Sequence, residues 1–420
     1  MFTLAMKMTR FLKRNSDATG VVKGLTLLAA LGALAVTAGA QPDPYLTGRA
    51  CMSREQFDSA VIHLNRALEA TPGRAEIYLQ LGIAHFRANN NPAAREAFYE
   101  AEKRKKGMGS LYLARTEVRL GHDELALKFL RDHLSSRYRV QEKEILLDDE
   151  LSRLEGSRGW QQLWNEKHWY SQADRQYQEA LFLKEHGDAL EAINMLNQLE
   201  KRGYKRSQVQ TSKALIYEEL GNRKAALSAL EDAVKNDGRN LDAIYRLAVY
   251  QLEGGDTEEA LGGLDRVIRQ DPARFGAYLL RARARSAGDD LAGAMEDIDL
   301  YLTYLPGSHE VYYLRGTIQY DHGKYLNAIQ AFNRALELEN GRAAYYFARG
   351  RAYAATNTIR YADRDMSMAL DLDPLNGEVW FEKAKLSERL GNRDDACHCY
   401  RKAFQYGIHQ AGELLERQCN

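Results

Sequence analysis

The feature that most constrains this chain is a period. Ala192, Ala226, Ala260, Ala294, Ala328, Ala362 and Ala396 stand 34 residues apart without a slip. Twelve residues before each sits another small residue: Ala180, Ala214, Ala248, Ala282, Gly316, Gly350 and Ala384. A unit repeated at this length folds as an array in which each copy packs on its neighbours. Two helices of a hairpin come close only where Ala or Gly leaves room for the backbones. Four residues beyond each alanine of the first set, Leu196, Leu230, Leu264, Ile298, Phe332, Met366 and Tyr400 continue the same helical face. Asp271-Pro272, Leu305-Pro306 and Asp373-Pro374 break the chain between hairpins. Within hairpins, Leu220-Gly221-Asn222 and Leu390-Gly391-Asn392 end the first helix on a glycine suited to a left-handed cap. Only 7 residues are Pro and 45% are apolar, which fits an all-α fold with a large buried seam.

The N-terminal part carries the same spacing. Gly48, Ala60, Leu64, Ala67 and Pro72 mark one unit, and Gly82, Ala94, Phe98 and Ala101 the next. Ala114, Gly121, Ala126 and Leu130 mark a third, shortened by two residues. The last full unit, with Trp380, Ala384, Ala396, Tyr400 and Ala403, shows the clearest signature. This pattern resembles the tetratricopeptide repeat, over about nine-tenths of the chain after its first 40 residues. The resemblance implies a right-handed α-solenoid of about ten antiparallel helix hairpins. The expected organisation is three repeats over 41–140, a Trp-rich splice over 141–172, seven repeats over 173–410 and an end-cap helix over 411–420.

Residues 1–40 read as an export signal. Lys7, Arg10, Lys13, Arg14 and Lys23 precede an uncharged run of 12 residues, Leu25 to Val36. Ala38-Gly39-Ala40 offers a cleavage site before Gln41. The run is shorter than the ~20 residues of a membrane-spanning helix. An uncleaved anchor is the other reading, and Met6 or Met8 are alternative starts. No later stretch is apolar enough to span a membrane, and Cys51 does not follow a lipobox. Basic and acidic residues number 58 each. Cleavage removes five bases and one acid, leaving 53 against 57. Neither balance asks for nucleic acid or an anionic membrane as the partner. The expected location is the periplasm, with outer-membrane association open.

The splice holds Trp160, Trp164 and Trp169, together with Ile145, Leu146, Leu147, Leu151, Leu154 and the acidic pair Asp148-Asp149. It is too apolar for a flexible linker. Its tryptophans pack against the flanking repeats, or they dock a partner.

In the family that the repeats resemble, first helices line the concave face. The position after each leading aromatic runs Tyr177, Thr211, Tyr245, Leu279, Tyr313, Phe347, Phe381. One turn on, it runs Leu181, Leu215, Val249, Arg283, Thr317, Arg351, Lys385. The candidate partner-binding residues are therefore Tyr245, Arg246, Arg283, Tyr313, Thr317, Phe347, Arg351, Phe381 and Lys385. Aromatic platforms alternating with cations suit an extended peptide with its carbonyls and carboxylates. The family's carboxylate clamp needs Asn one turn along, and this chain has none there. Arg281, Arg315, Arg349 and Lys383 stand where the family usually has Leu. Arg281 with Asp297 and Arg349 with Asp365 are expected to pair within their hairpins as structural contacts.

Catalytic chemistry is missing: there is no phosphate loop and no HExxH helix, and no cofactor or metal is expected. Cys397-His398-Cys399 cannot converge on one ion from successive helical positions. In an oxidising compartment Cys419 can fold back to Cys397 or to Cys399 and pin the last helix, with Cys51 left alone. The reading is a non-catalytic scaffold of the cell envelope that binds segments of other proteins. The alternative is an envelope-polysaccharide or enzyme-accessory module, weakened by the scarcity of Asn and Asp beside the groove aromatics.

Overall fold

The computed structural model describes residues 41–166 and 169–419, so the predicted export segment over 1–40 lies outside the described residues. Asp43–Asn420 forms one compact unit. Every regular element described is helical. Three hairpins come first: α1 (Pro44–Ser53) with α2 (Phe57–Ala70), α3 (Ala75–Arg87) with α4 (Asn91–Arg104), and α5 (Ser110–Arg119) with α6 (Asp123–Leu134). The splice contributes α7 (Glu142–Leu146), a 3-10 turn over Leu151–Leu154, and α8 (Arg158–Glu166). Four hairpins follow: α9 (Gln172–Glu185) with α10 (Ala189–Lys201), α11 (Arg206–Glu219) with α12 (Arg223–Asn236), α13 (Leu241–Gly254) with α14 (Thr257–Gln270), and α15 (Phe275–Ala287) with α16 (Leu291–Tyr304). The last three are α17 (His309–Asp321) with α18 (Tyr325–Leu338), α19 (Ala343–Ala355) with α20 (Ile359–Leu372), and α21 (Gly377–Arg389) with α22 (Arg393–Gln405). A single helix, α23 (His409–Gln418), closes the stack.

The small-residue ladder does what its spacing implies. Ala180, Ala192, Ala214, Ala226, Ala248 and Ala260 are wholly inaccessible to solvent. A side chain at Gly82 would lie 2.4 Å from the ring of Phe98, and one at Gly316 would lie 2.5 Å from Phe332. Glycine is required at both places because an aromatic ring fills the space that a Cβ needs. Gly221 and Gly391 take the left-handed conformation, φ 69° and 77°, and end α11 and α21. Asn222 and Asn392 then cap the next helix by accepting the backbone N–H three residues on.

First helices of successive hairpins touch one another, as α13 does α15, α15 does α17 and α19 does α21, whereas second helices make no comparable approach. The stack therefore bends toward its first helices, which form the inner face. The bend is large enough to bring the chain back on itself. Leu46 and Ala50 of α1 are buried against Ala273, Phe275 and Tyr304, six hairpins further along. The Asp43 N–H donates to the Tyr304 hydroxyl at 3.1 Å. This seam closes one superhelical turn and leaves the last three hairpins beyond it. Only a few groups hold it, so a charge placed there will open it. For Leu46→Asp the expected result is faster amide exchange over 44–53 and a larger maximum dimension in small-angle scattering, with helicity retained. An unchanged scattering curve would mean that the seam does not hold the ring in solution.

The splice shares its core with the third hairpin. Trp160, Leu163, Trp169 and Tyr170 belong to the same buried cluster as Phe98, Leu113, Phe129 and Leu130. The Trp169 indole N–H donates to the Leu163 carbonyl at 2.8 Å, and the Tyr170 hydroxyl donates to the Val140 carbonyl at 2.8 Å. Trp160 and Trp169 are each 7% exposed, and only Trp164 of the three is half-buried. A partner arriving at the splice would therefore meet Trp164, with Trp160 and Trp169 inside the packing.

Candidate functional site

The inner face is built by α13, α15, α17, α19 and α21, and it carries the nine candidate residues unevenly. Tyr245 is half-buried, with the Arg274 guanidinium 4.4 Å from its ring centre. Arg246 is engaged with Asp242 at 3.2 Å and Glu218 at 3.1 Å. These two residues serve contacts between neighbouring hairpins. Tyr313 stacks on Tyr345 with ring centres 4.7 Å apart, so one of its faces is covered. Thr317 turns its hydroxyl back to the Tyr313 carbonyl at 3.0 Å.

The remaining five stay closer to a binding role. Arg283 and Arg351 are exposed, and among the described residues neither forms an ion pair or a side-chain hydrogen bond. Arg283 lines an open groove of about 810 Å³ with Ser286, Thr317, Asp321 and His322. The Arg351 guanidinium lies 4.9 Å from the centre of the Tyr320 ring and 5.8 Å from that of Phe347. The Lys385 ammonium sits 5.1 Å from the centre of the Phe381 ring and 2.5 Å from Glu382. Phe381 meets Tyr400 edge to face at 5.8 Å. Stacking on a ring spreads each cation's stem over apolar surface and leaves its donors available.

The arginines at the family's leucine position are structural. Arg281 grips Asp297 with two hydrogen bonds, at 2.9 and 2.6 Å, and reaches Asp265 at 2.7 Å. Arg349 grips Asp365 with two bonds of 2.7 Å and reaches Asn333 at 2.8 Å. Both expected pairs therefore form, each with a second acceptor on the preceding hairpin. Arg315 uses only that preceding contact, with Asp299 at 2.8 Å, and Lys383 reaches Ser367 and Asp363 in the same way. Burial disfavours the charged form of Arg281, yet the hydrogen bonds and charge of Asp297 and Asp265 raise its pKa above the usual arginine value.

The sequence reading did not place Arg115 and Arg119 at the site. They lie one turn apart on α5, on the inner face of the first array. The chain's own splice lies over them. Asp148 accepts from Arg115 at 2.6 Å, and Glu150 accepts from Arg119 at 2.5 Å. Burial works against ionisation of Glu150, but the bond and charge of Arg119 prevail and hold its carboxyl below the ordinary range. Nearby, burial first, then the charges of Arg115 and Arg139, push the His133 pKa down to about 4. The neutral ring accepts the Val140 N–H at Nε2, 3.1 Å away, and so helps fix the start of the splice. A cavity of about 620 Å³ remains between Ile83, Phe86, Tyr112 and the acidic run.

Among the described residues no cluster of His, Cys, Asp or Glu is arranged to hold a metal ion, and no helix is long and apolar enough to cross a membrane. Cys397 and Cys419 form a disulfide, which resolves the choice of partner for Cys419, and Cys51 and Cys399 are buried thiols.

Stacked hairpins with touching first helices and a continuous inner face define an α-solenoid. Tetratricopeptide repeat family models match it over residues 45–110 and 211–274, and over 309–341 and 377–406. The chain is built of tetratricopeptide repeats, and proteins built of them commonly serve as protein-interaction scaffolds. No curated protein matches it. Similar solved structures include a tetratricopeptide repeat protein from Parabacteroides merdae, 18% identical over 59% of this chain and 99% of that one, with a TM-score of 0.49. Yeast Tom70 is 14% identical over 89% of this chain and 94% of its own, at 0.41. The Cut9-Hcn1 hetero-tetramer of the APC/C is 13% identical over 94% and 99%, at 0.45.

Proposed function

We propose that this chain is a non-catalytic scaffold of the cell envelope that holds an extended segment of another protein on the inner face of its last four hairpins. The observation that carries the reading is the pair Arg283 and Arg351: exposed on the inner face, one beside an open groove and one laid on aromatic rings, and neither paired with a carboxylate among the described residues. Arg246 and Arg274, by contrast, are both spent on Asp242. Guanidinium groups with free donors over a groove suit the carbonyls and carboxylates of a bound peptide. A periplasmic location rests on the export signal over 1–40, and the Cys397–Cys419 disulfide supports an oxidising compartment.

The test is a photo-crosslinking residue at Thr317 or Phe347 in the native envelope, followed by mass spectrometry of what is captured. A defined protein partner is expected, and Arg283→Glu with Arg351→Glu is expected to reduce its capture at least ~tenfold. Undiminished capture by that variant, or retention on peptidoglycan instead of a protein, would sink the proposal.

A further inference from the structure

The first array carries a worked example of what this inner face binds. Arg115 follows the small contact residue Ala114 on α5, and Arg119 stands one turn further. Arg119 is braced by the preceding hairpin: its Nη1 donates to the Phe86 carbonyl at 3.0 Å and to the Asn89 side-chain oxygen at 3.3 Å. Asn89 stands in the left-handed conformation, φ 59°, which turns its amide toward the inner face. Braced in this way, Arg119 offers its Nη2 to Glu150, while Arg115 takes Asp148. Two carboxylates two residues apart thus meet two cations one helical turn apart.

The last hairpin repeats the receiving half of this arrangement. Lys385 follows the small residue Ala384 on α21, and Arg389 stands one turn further. Arg389 Nη1 donates to the Ala354 carbonyl at 3.4 Å, and Nη2 donates to the Asn357 side-chain oxygen at 2.7 Å. Asn357 has φ 61°, as Asn89 does to within 2°. The neighbouring inner helix adds Arg351 on its aromatic rings. Position and left-handed asparagine are reproduced, and the brace differs in that Arg389 commits both Nη1 and Nη2 to it, which leaves Nε for an incoming carboxylate. The one element absent among the described residues is the acidic segment: Lys385 meets only Glu382 of its own helix, and Arg389 meets no carboxylate. A partly exposed pair within one helix, such as Lys385 with Glu382, contributes little and can exchange for an incoming carboxylate.

We infer that the inner face of the last two hairpins, through Lys385 and Arg389 with Arg351 alongside, takes an acidic segment internal to a partner protein, with two carboxylates two residues apart as in Asp148 and Glu150. This rests on the scaffold reading above and names the partner's chemistry. The occupant is not this chain's own segment or that of a second copy, because Asp148 and Glu150 are already engaged at Arg115 and Arg119. Recognition is by side-chain carboxylates within a chain, so a free C-terminus is not required.

The probe is a fluorescent peptide with the sequence of residues 145–152, blocked at both ends, titrated into the full-length chain by anisotropy. Saturable binding is expected, weakened at least ~tenfold by Lys385→Ala with Arg389→Ala and by the peptide carrying Asp148→Asn and Glu150→Gln. Arg360→Ala, at an exposed site on the outer helix α20, should change nothing, and unchanged circular-dichroism melts will show that each variant is folded. The inference is overturned if the peptide fails to bind, if only an unblocked C-terminus binds, if the Asp148→Asn, Glu150→Gln peptide binds equally, or if binding responds to Arg115→Ala with Arg119→Ala and ignores Lys385 and Arg389. Should peptide binding fail while crosslinking at Thr317 or Phe347 still captures a partner, only the acidic chemistry is wrong. Loss of both would remove the scaffold reading as well.

Discussion

Asp365→Ala will destabilise the ninth hairpin by about 3–5 kcal/mol. Asp365 and Arg349 are joined by two parallel bonds of 2.7 Å, and their side chains are only 5% and 20% exposed. Removing the acid leaves a guanidinium in an apolar seam with Asn333 as its remaining acceptor, and arginine cannot escape by losing its proton. The matching double variant, Arg349→Leu with Asp365→Leu, should recover most of that loss. A buried ion pair replaced by well-packed apolar side chains is often neutral or better, and leucine is what the repeat usually carries at the arginine position. Urea unfolding followed by circular dichroism gives the free energies. Amide exchange over 343–372 shows whether the loss is local, as expected where each unit contacts only its neighbours. A cost below ~1 kcal/mol for Asp365→Ala would place the pair among exposed ion pairs that contribute little.

These pairs also show what the sequence made legible. A fixed period converts spacing into geometry: once Arg349 and Asp365 are placed in one hairpin, their meeting follows from the repeat. The same logic fixed the small-residue ladder and the glycine caps. The second acceptors on the preceding hairpin, Asp265 and Asn333, follow from the same register but were not drawn from it. The splice has no register to follow. Asp148 and Arg115 are 33 residues apart across an aperiodic stretch, so their contact is a tertiary event that composition alone does not reveal. Arg115 nonetheless satisfies the rule that selected Arg283 and Arg351, since it directly follows a small contact residue. Applying that rule to the first array would have found it. The candidate positions differ for a related reason. Position on an inner helix says which side chains face inward, and it does not say which are consumed by neighbours, as Arg246 is by Asp242 and Glu218. The seam between α1 and α16 depends on rotation accumulated over six hairpins, a sum of small angles that no single repeat discloses.

Reduction of the Cys397–Cys419 disulfide will release the end cap. The bond spans 22 residues and ties α22 to the far end of α23. Without it, α23 is held by Ala411, Leu414 and Leu415 against the last hairpin and by Arg393 donating to the Gln418 carbonyl at 2.7 Å. A crosslink closing a loop of that length contributes roughly 3 kcal/mol by restricting the unfolded chain, which is a large share of what one terminal helix can gain from packing. Cys419→Ser, or a reductant on the native chain, should therefore raise amide exchange over 409–418 and then over 393–405, with earlier hairpins little changed. Cys399 offers no replacement partner: burial first, and then the charge of Asp395, push its thiol pKa up to about 12, so it stays protonated and slow to exchange. The effect should reach the proposed binding face, because α22 packs on α21, which carries Lys385 and Arg389. Acidic-peptide affinity is expected to fall on reduction in the native chain and to be insensitive to reductant in Cys419→Ser. Equal exchange over 409–418 in oxidised and reduced protein would show instead that packing alone holds the cap.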